Sequence, residues 1–111
     1  MKRLVYLISP DKINKKFFND LDLVLSHGNV KFFQLRLKKI KKKILIKISN
    51  KIRKITLKHK VKFIINDDFH FASTSKADGC HMGQLDGSIQ TAKKKLKNKI
   101  LGVTCHNSKT L

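Results

Sequence analysis

At 111 residues the chain is one small domain or part of a larger one, with room for a modest core and short for a cleft that takes two substrates. Its 26 lysines and arginines stand against 7 acidic residues, a formal charge of +19 that attracts polyanions of any kind: nucleic acid, anionic lipid or a phosphorylated metabolite. No apolar run nears the ~20 residues that cross a bilayer, and the short N-terminal one meets Pro10-Asp11-Lys12 instead of a cleavage site, so a soluble, cytoplasmic chain with no membrane partner is expected.

Leu4 to Ile8 is a continuous apolar run closed by Ser9-Pro10-Asp11, the pattern of a strand covered on both faces, and Phe17, Phe18, Leu21, Val24 and Leu25 then recur at helical spacing. His27-Gly28-Asn29 stops that helix. Strand character resumes over Val30 to Leu37, and Ile44, Ile48, Ile52 and Ile55 make another helical stripe. Val61 to Ile65 is a third strand ending in Asn66-Asp67-Asp68, with Asp68 placed to cap a short helix over Phe69 to Ser75. Ala77 to Met82 reads as a fourth strand, Ser88 to Lys97 as a fourth helix and Ile100 to Thr104 as a fifth strand.

Strands alternating with helices imply parallel pairing through right-handed crossovers, in an open doubly wound sheet or a closed barrel. Periodicity does not choose between them. The polar residues Gln34, Arg36, Lys38, Asn66, Asp67, Gln84, Asp86 and Thr104 all fall at or just past C-terminal strand ends, where barrels build their active sites. The phenylalanines sit in core-like contexts, not interleaved with the lysines as base-stacking platforms are, so nucleic acid is not signalled as a partner. Lysines concentrated at Lys38 to Lys43 and Lys93 to Lys97 fit solvated faces. Cys80 and Cys105 each precede a histidine, His81 and His106, but the spacing matches no standard zinc pattern, and buried free thiols are expected.

Gln34, Arg36 and Lys38 alternate along the second strand, so their side chains point to one side. An amide, a guanidinium fork and an ammonium converging there suit a diphosphate, and the same pattern also fits a solvated strand end in a basic protein. Asn66-Asp67 and Asp86 put an amide and two carboxylates at the next strand mouths. Hard Mg²⁺ takes a few carboxylates together with phosphate oxygens and water, so Asp67 and Asp86 suit a metal that bridges to a bound diphosphate. An Asn-Asp dipeptide on its own is usually a turn.

Tyr6-Leu7-Ile8, Gln34-Leu35-Arg36-Leu37-Lys38, Ile64-Ile65-Asn66-Asp67, the run from Ala77 to Asp86, and Gly102-Val103-Thr104-Cys105-His106 resemble, in order and spacing, successive motifs of the thiamine phosphate synthases. The resemblance implies an α/β fold, the first five strands and four helices of a (β/α)8 TIM barrel, with residues 1–111 as a single partial domain. It implies a transferase of thiamine biosynthesis that condenses hydroxymethylpyrimidine diphosphate with thiazole phosphate and releases pyrophosphate. On the family's pattern Gln34, Arg36, Lys38 and Asn66 bind the pyrimidine diphosphate, and Asp67 and Asp86 are ligands of Mg²⁺. Thr104 falls where the family commonly has a diphosphate-binding serine and keeps the hydroxyl. Cys80 stands where an aliphatic residue is usual, and the roles implied for His81 and His106 are structural or supporting. The implied mechanism is dissociative: pyrophosphate departs, a pyrimidine-methyl cation forms and the thiazole nitrogen captures it, with no protein nucleophile or base.

A thiazole tautomerase-like relative would share the fold and turn over thiazole phosphate alone, and the complete Gln-Arg-Lys, Asn-Asp and Asp set favours the synthase over it. A basic nucleic-acid-binding module would instead bind with salt-sensitive affinity indifferent to Mg²⁺ and to Asp67. Members of the family are considerably longer, with the thiazole-phosphate contacts in the part that follows. The chain is therefore expected to be a fragment, or else to close its barrel by self-association.

Overall fold

A helix that returns the chain along the outside of a strand leaves the next strand parallel to the first, and the sequence repeats this step four times. The computed structural model describes residues 5–37, 39–82 and 88–103. They form β1 (Val5–Ile8), α1 (Lys15–Leu25), β2 (Val30–Leu35), α2 (Lys42–Lys58), β3 (Lys62–Asn66), α3 (Phe69–Thr74), β4 (Gly79–Met82), α4 (Ser88–Leu96) and β5 (Ile100–Val103). The five strands make one sheet in the order β1-β2-β3-β4-β5, and every neighbouring pair is parallel. Sequential order without a reversal excludes the doubly wound alternative, whose sheet turns back at a switch point.

The pleat sorts the side chains onto two faces. Leu7, Phe33, Leu35, Phe63, Ile65, Cys80, Met82 and Leu101 face the helices and join one core with Leu21, Leu25, Ile52, Ala72, Ala92 and Leu96. Tyr6, Phe32, Gln34, Ile64 and His81 occupy the alternate positions that the register aligns across the sheet. That second face is concave. Strands three steps apart in a flat sheet lie roughly 14 Å apart, yet the rings of Tyr6 on β1 and His81 on β4 approach to 6.5 Å between centroids. Two glycines make this curl possible. A Cβ at Gly79 would lie 2.2 Å from the Ile100 carbonyl oxygen, and one at Gly102 would lie 2.8 Å from His81 Nδ1.

Two of the helices, α1 and α3, have a local cause. Asn14 Oδ1 accepts from the Phe17 amide at 3.0 Å to start α1, and Gly28, at φ 81°, supplies the left-handed residue that ends it. Asp68 Oδ1 accepts from the Phe71 amide at 2.9 Å, the cap expected from its position. At the other end of α3, Lys99 Nζ donates to the carbonyls of Ala72 and Ser75, both at 2.7 Å. Burial there lowers the Lys99 ammonium from its ordinary value.

The structure departs from the sequence reading at a few positions. Val24 and Ile44, expected in the apolar stripes, are 41% and 47% exposed; Leu21 with Leu25, and Ile48 with Ile52 and Ile55, carry those faces instead. The second strand stops at Leu35, not Leu37. There the Arg36 amide donates to Ser9 Oγ at 2.8 Å, and the Ser9 amide donates to the Gln34 carbonyl at 2.9 Å, so the chain past the strand is tied to the β1 loop. The fourth strand starts at Gly79, not Ala77.

Asp78 Oδ2 accepts from Arg53 Nη1 at 2.8 Å and from the Phe63 amide at 2.7 Å. Its own amide donates to the Phe63 carbonyl at 2.7 Å, and its carbonyl accepts from the Ile100 amide at 2.9 Å. One residue thus ties α2, β3 and β5 at the N-terminal ends of the strands. Asp78→Ala strands a buried amide and a guanidinium and is expected to lower unfolding stability by about 2 kcal/mol, measured by urea denaturation. Asp78→Asn, which keeps an acceptor for Phe63, is expected to cost less.

Asp22 on α1 pairs with His59 Nε2 at 2.5 Å and with Lys58 Nζ at 3.3 Å, at the C-terminal end of α2. The His59 contact first, then Lys58, holds its carboxyl below the ordinary value of 3.8. A depressed carboxyl stabilises the fold above its unfolded value and loses that contribution as pH falls through the folded one. The stability difference between the parent and Asp22→Asn should therefore be flat near neutral pH and shrink below about pH 3.8, read from denaturation curves at successive pH values.

Candidate active site

The polar residues of the sequence reading divide between the rim of the sheet and the ground just beneath it. Arg36 and Leu37 follow β2, Asn66 closes β3, and Asp67, Asp68, Phe69 and His70 lead into and open α3; together they line a cavity of about 420 Å³ at the C-terminal strand ends. Asp67 is where the chain turns. Its φ of 64° is left-handed, a conformation aspartate and asparagine tolerate better than most residues. Its amide donates to the His81 carbonyl at 2.7 Å, fixing the turn against β4. A cation from one strand, an amide and a carboxylate from the next, and the start of a helix thus meet around one opening, an arrangement that suits a phosphorylated ligand.

Gln34 lies lower. It is 2% exposed, on the concave face, and its Nε2 donates to the Tyr6 hydroxyl at 2.8 Å. The Tyr6 ring stacks on Phe32 at 5.6 Å and meets His81 edge-on. Gln34 sits within β2 on the concave face, while Arg36 follows the end of the strand and lines the rim cavity. Sequence reasoning did not single out Tyr6 as a partner of Gln34, nor His70 and Phe69 as rim residues. The signal for the latter pair is their position directly after Asn66-Asp67-Asp68, in the first turn of a helix. Lys38, Asp86 and Thr104, expected as a diphosphate ligand, a metal ligand and a hydroxyl donor, lie outside the described residues, as do Cys105 and His106.

Cys80 and His81 are neighbours in sequence and strangers in space. The strand sends Cys80, fully buried, into the core under the helices and His81 to the concave face, so the dipeptide does not present two ligands to one metal. Burial first, with Asp67 and then Asp68 adding negative potential, pushes the Cys80 thiol up to about 12. Among the described residues no group of three or more His, Cys, Asp or Glu side chains is placed to hold a metal.

A family model described as thiamine monophosphate synthase matches residues 5–111. The chain belongs to that family. Among its relatives, the thiamine-phosphate synthase of Pelagibacter ubique is 57% identical over 108 residues, spanning 96% of this chain and 52% of the relative. That of Erythrobacter litoralis is 37% identical over 110 residues, again covering 96% and 52%. The chain thus spans about half the length of the curated relatives it matches. In fold it is similar to a thiamine phosphate pyrophosphorylase from Pyrococcus furiosus, with a TM-score of 0.81 and 24% identity, over 96% of this chain and 52% of that one. The curled sheet with sequential parallel strands is accordingly the first part of a TIM-type barrel, as the family resemblance implied. No helix among the described residues is long and apolar enough to cross a membrane.

The protonated, buried Cys80 thiol gives a check on the fold around the site. Because the thiolate is the reactive form, alkylation of Cys80 by iodoacetamide at pH 8, scored by peptide mass spectrometry, is expected to be negligible in the native chain and complete in urea. Rapid native labelling would mean that β4 does not lie under α3 and α4 as described.

Proposed function

We propose that the rim cavity is the diphosphate half of a thiamine phosphate synthase site, which condenses hydroxymethylpyrimidine diphosphate with thiazole phosphate to give thiamine phosphate and pyrophosphate. The observation that carries this reading is the meeting of Arg36, Asn66 and Asp67 around one opening at the strand ends, in a chain of this family. Arg36 offers a planar fork of donors to the departing diphosphate, and Asn66 an amide to one of its oxygens. Gln34, held by Tyr6, and Lys38 and Thr104 in the family's pattern complete the binding set.

Hard oxygen donors at the rim fit Mg²⁺, with Asp67 and Asp86 as the residues that would hold it, and the ion when bound supplies positive charge to the diphosphate. The fit rests on Asp67 at the cavity, with Asn66 and Asp68 beside it. Asp68 is the poorer ligand, since its Oδ1 caps α3. With charge stabilisation and orientation as the protein's contributions, the reading needs no nucleophile from the chain. It places the protein in the cytoplasm, where a free thiol such as Cys80 stays reduced.

The test separates a built site from the pull of a +19 chain. A hybrid in which the C-terminal half of the Pelagibacter ubique relative continues this chain is titrated calorimetrically with hydroxymethylpyrimidine diphosphate, with and without Mg²⁺. Asp67→Asn keeps a side chain that accepts the left-handed turn and makes the protein more positive, so simple electrostatics predicts tighter binding. The site reading predicts weaker binding, and only in Mg²⁺. Arg36→Ala should lose ~1.5 to 3 kcal/mol of binding, the worth of a hydrogen bond to a charged group, while exposed Lys95→Ala on α4 should change little. Asp67→Asn binding as well as the parent in Mg²⁺ would refute the assignment, and affinity indifferent to Mg²⁺ but steeply salt-dependent would point to nonspecific polyanion binding.

A further inference from the structure

On the convex side α1 packs beside α2 and α3 beside α4, but α2 and α3 part to leave a cavity of about 290 Å³ over the outer face of β3. Phe63 and Phe71, both buried, form its apolar floor and Ile46 one wall. Lys42, Arg53 and Lys76 also line it, and no carboxylate does. Into the same space comes Ser49, 4% exposed, whose Oγ has no hydrogen-bond partner. A buried hydroxyl left unpaired opposes folding unless something arrives to pair with it. None of the residues lining this cavity lines the one at the rim.

We propose that this α2–α3 groove is a second binding site, for a small ligand that carries an anionic group on an apolar body such as a single ring. Water alone would pair with Ser49 but would lie against phenylalanine. A ring covers the floor and its oxygens reach Ser49 and the cations, which is the division of labour usual in ligand pockets, where apolar walls supply contact and a few polar groups fix orientation. The volume stands at the small end of such pockets, roughly 300 to 1,000 Å³, which limits the ligand to about one ring and its anionic group. Arg53 also holds Asp78, so an anion at Arg53 would be felt where the sheet is tied.

Amide NMR titration of the full chain tests this, with phenyl phosphate as the probe and inorganic phosphate and phenol as its separate halves. Phenyl phosphate should shift the amides of Ser49, Asn50 and Lys76 saturably and bind at least about fivefold tighter than either half, as expected when a polar contact adds to ring burial. Ser49→Ala, which removes an unpaired group, should leave the fold intact and weaken phenyl phosphate about fivefold. Ser49→Leu should fill the cavity and abolish the shifts, whereas Arg36→Ala at the rim should not alter them. The proposal is overturned if the shifts are confined to Arg36, Asn66 and Asp67, if inorganic phosphate matches phenyl phosphate, or if Ser49→Ala binds like the parent.

Discussion

The carboxylate of Asp78 is the point on which the sheet depends. It satisfies the Phe63 amide where the β3–β4 ladder would otherwise begin with an open donor, and it neutralises Arg53 from the helix that covers β3. Its backbone carries the pairing on to Ile100. Buried amides and buried cations are expensive unless paired, and here one residue pairs both at the N-terminal edge, the end of a barrel concerned with stability. Gly79 then follows directly, because only a residue without a side chain lets β5 lie this close.

With the N-terminal edge tied, the two faces of the sheet are free to differ. The helix side is mostly apolar and holds the core, with Cys80 and the polar Thr56 both fully buried. The concave side mixes rings with hydrogen-bonding groups, and Gln34 is buried there only because the Tyr6 hydroxyl receives its amide. That contact also limits Gln34 to the remaining acceptor and donor positions of its amide, so its part in recognition is oriented from below by Tyr6. The rim above is built from residues that have left the strands, Arg36 after β2 and Asp67 after β3.

A chain with so large a positive charge has few carboxylates to deploy, and all seven are aspartates. Asp22 joins α1 to His59 and Lys58, Asp78 pairs with Arg53, and Asp68 caps α3. Asp67 lines the rim cavity together with Asp68, from a left-handed turn. Concentrating two of the few negative charges beside Arg36 gives that opening a mixed field unlike the uniformly basic helix faces, and mixed fields discriminate among anions where uniform ones only attract them.

The order of elements was legible from residue pattern alone, because apolar runs closed by Ser9-Pro10 and Asn66-Asp67 alternate with helical stripes, and such alternation has few parallel solutions. The five motifs from Tyr6 to His106 likewise carried the family, and with it a barrel-type rather than a doubly wound sheet. Strand lengths and partners were not legible. Whether β2 continues past Leu35 turns on a hydrogen bond from Arg36 to Ser9 Oγ, two residues that are 27 apart in the chain. Asp78 looked like part of a strand, and its ties to Arg53, Phe63 and Ile100 exist only once α2, β3 and β5 have been brought together. Sequence period fixes which way a side chain points within its own element; which cation, amide or ring it then meets is decided by packing between elements far apart in the chain, and that is why Gln34 found Tyr6, and Ser49 an empty groove, only in the folded structure.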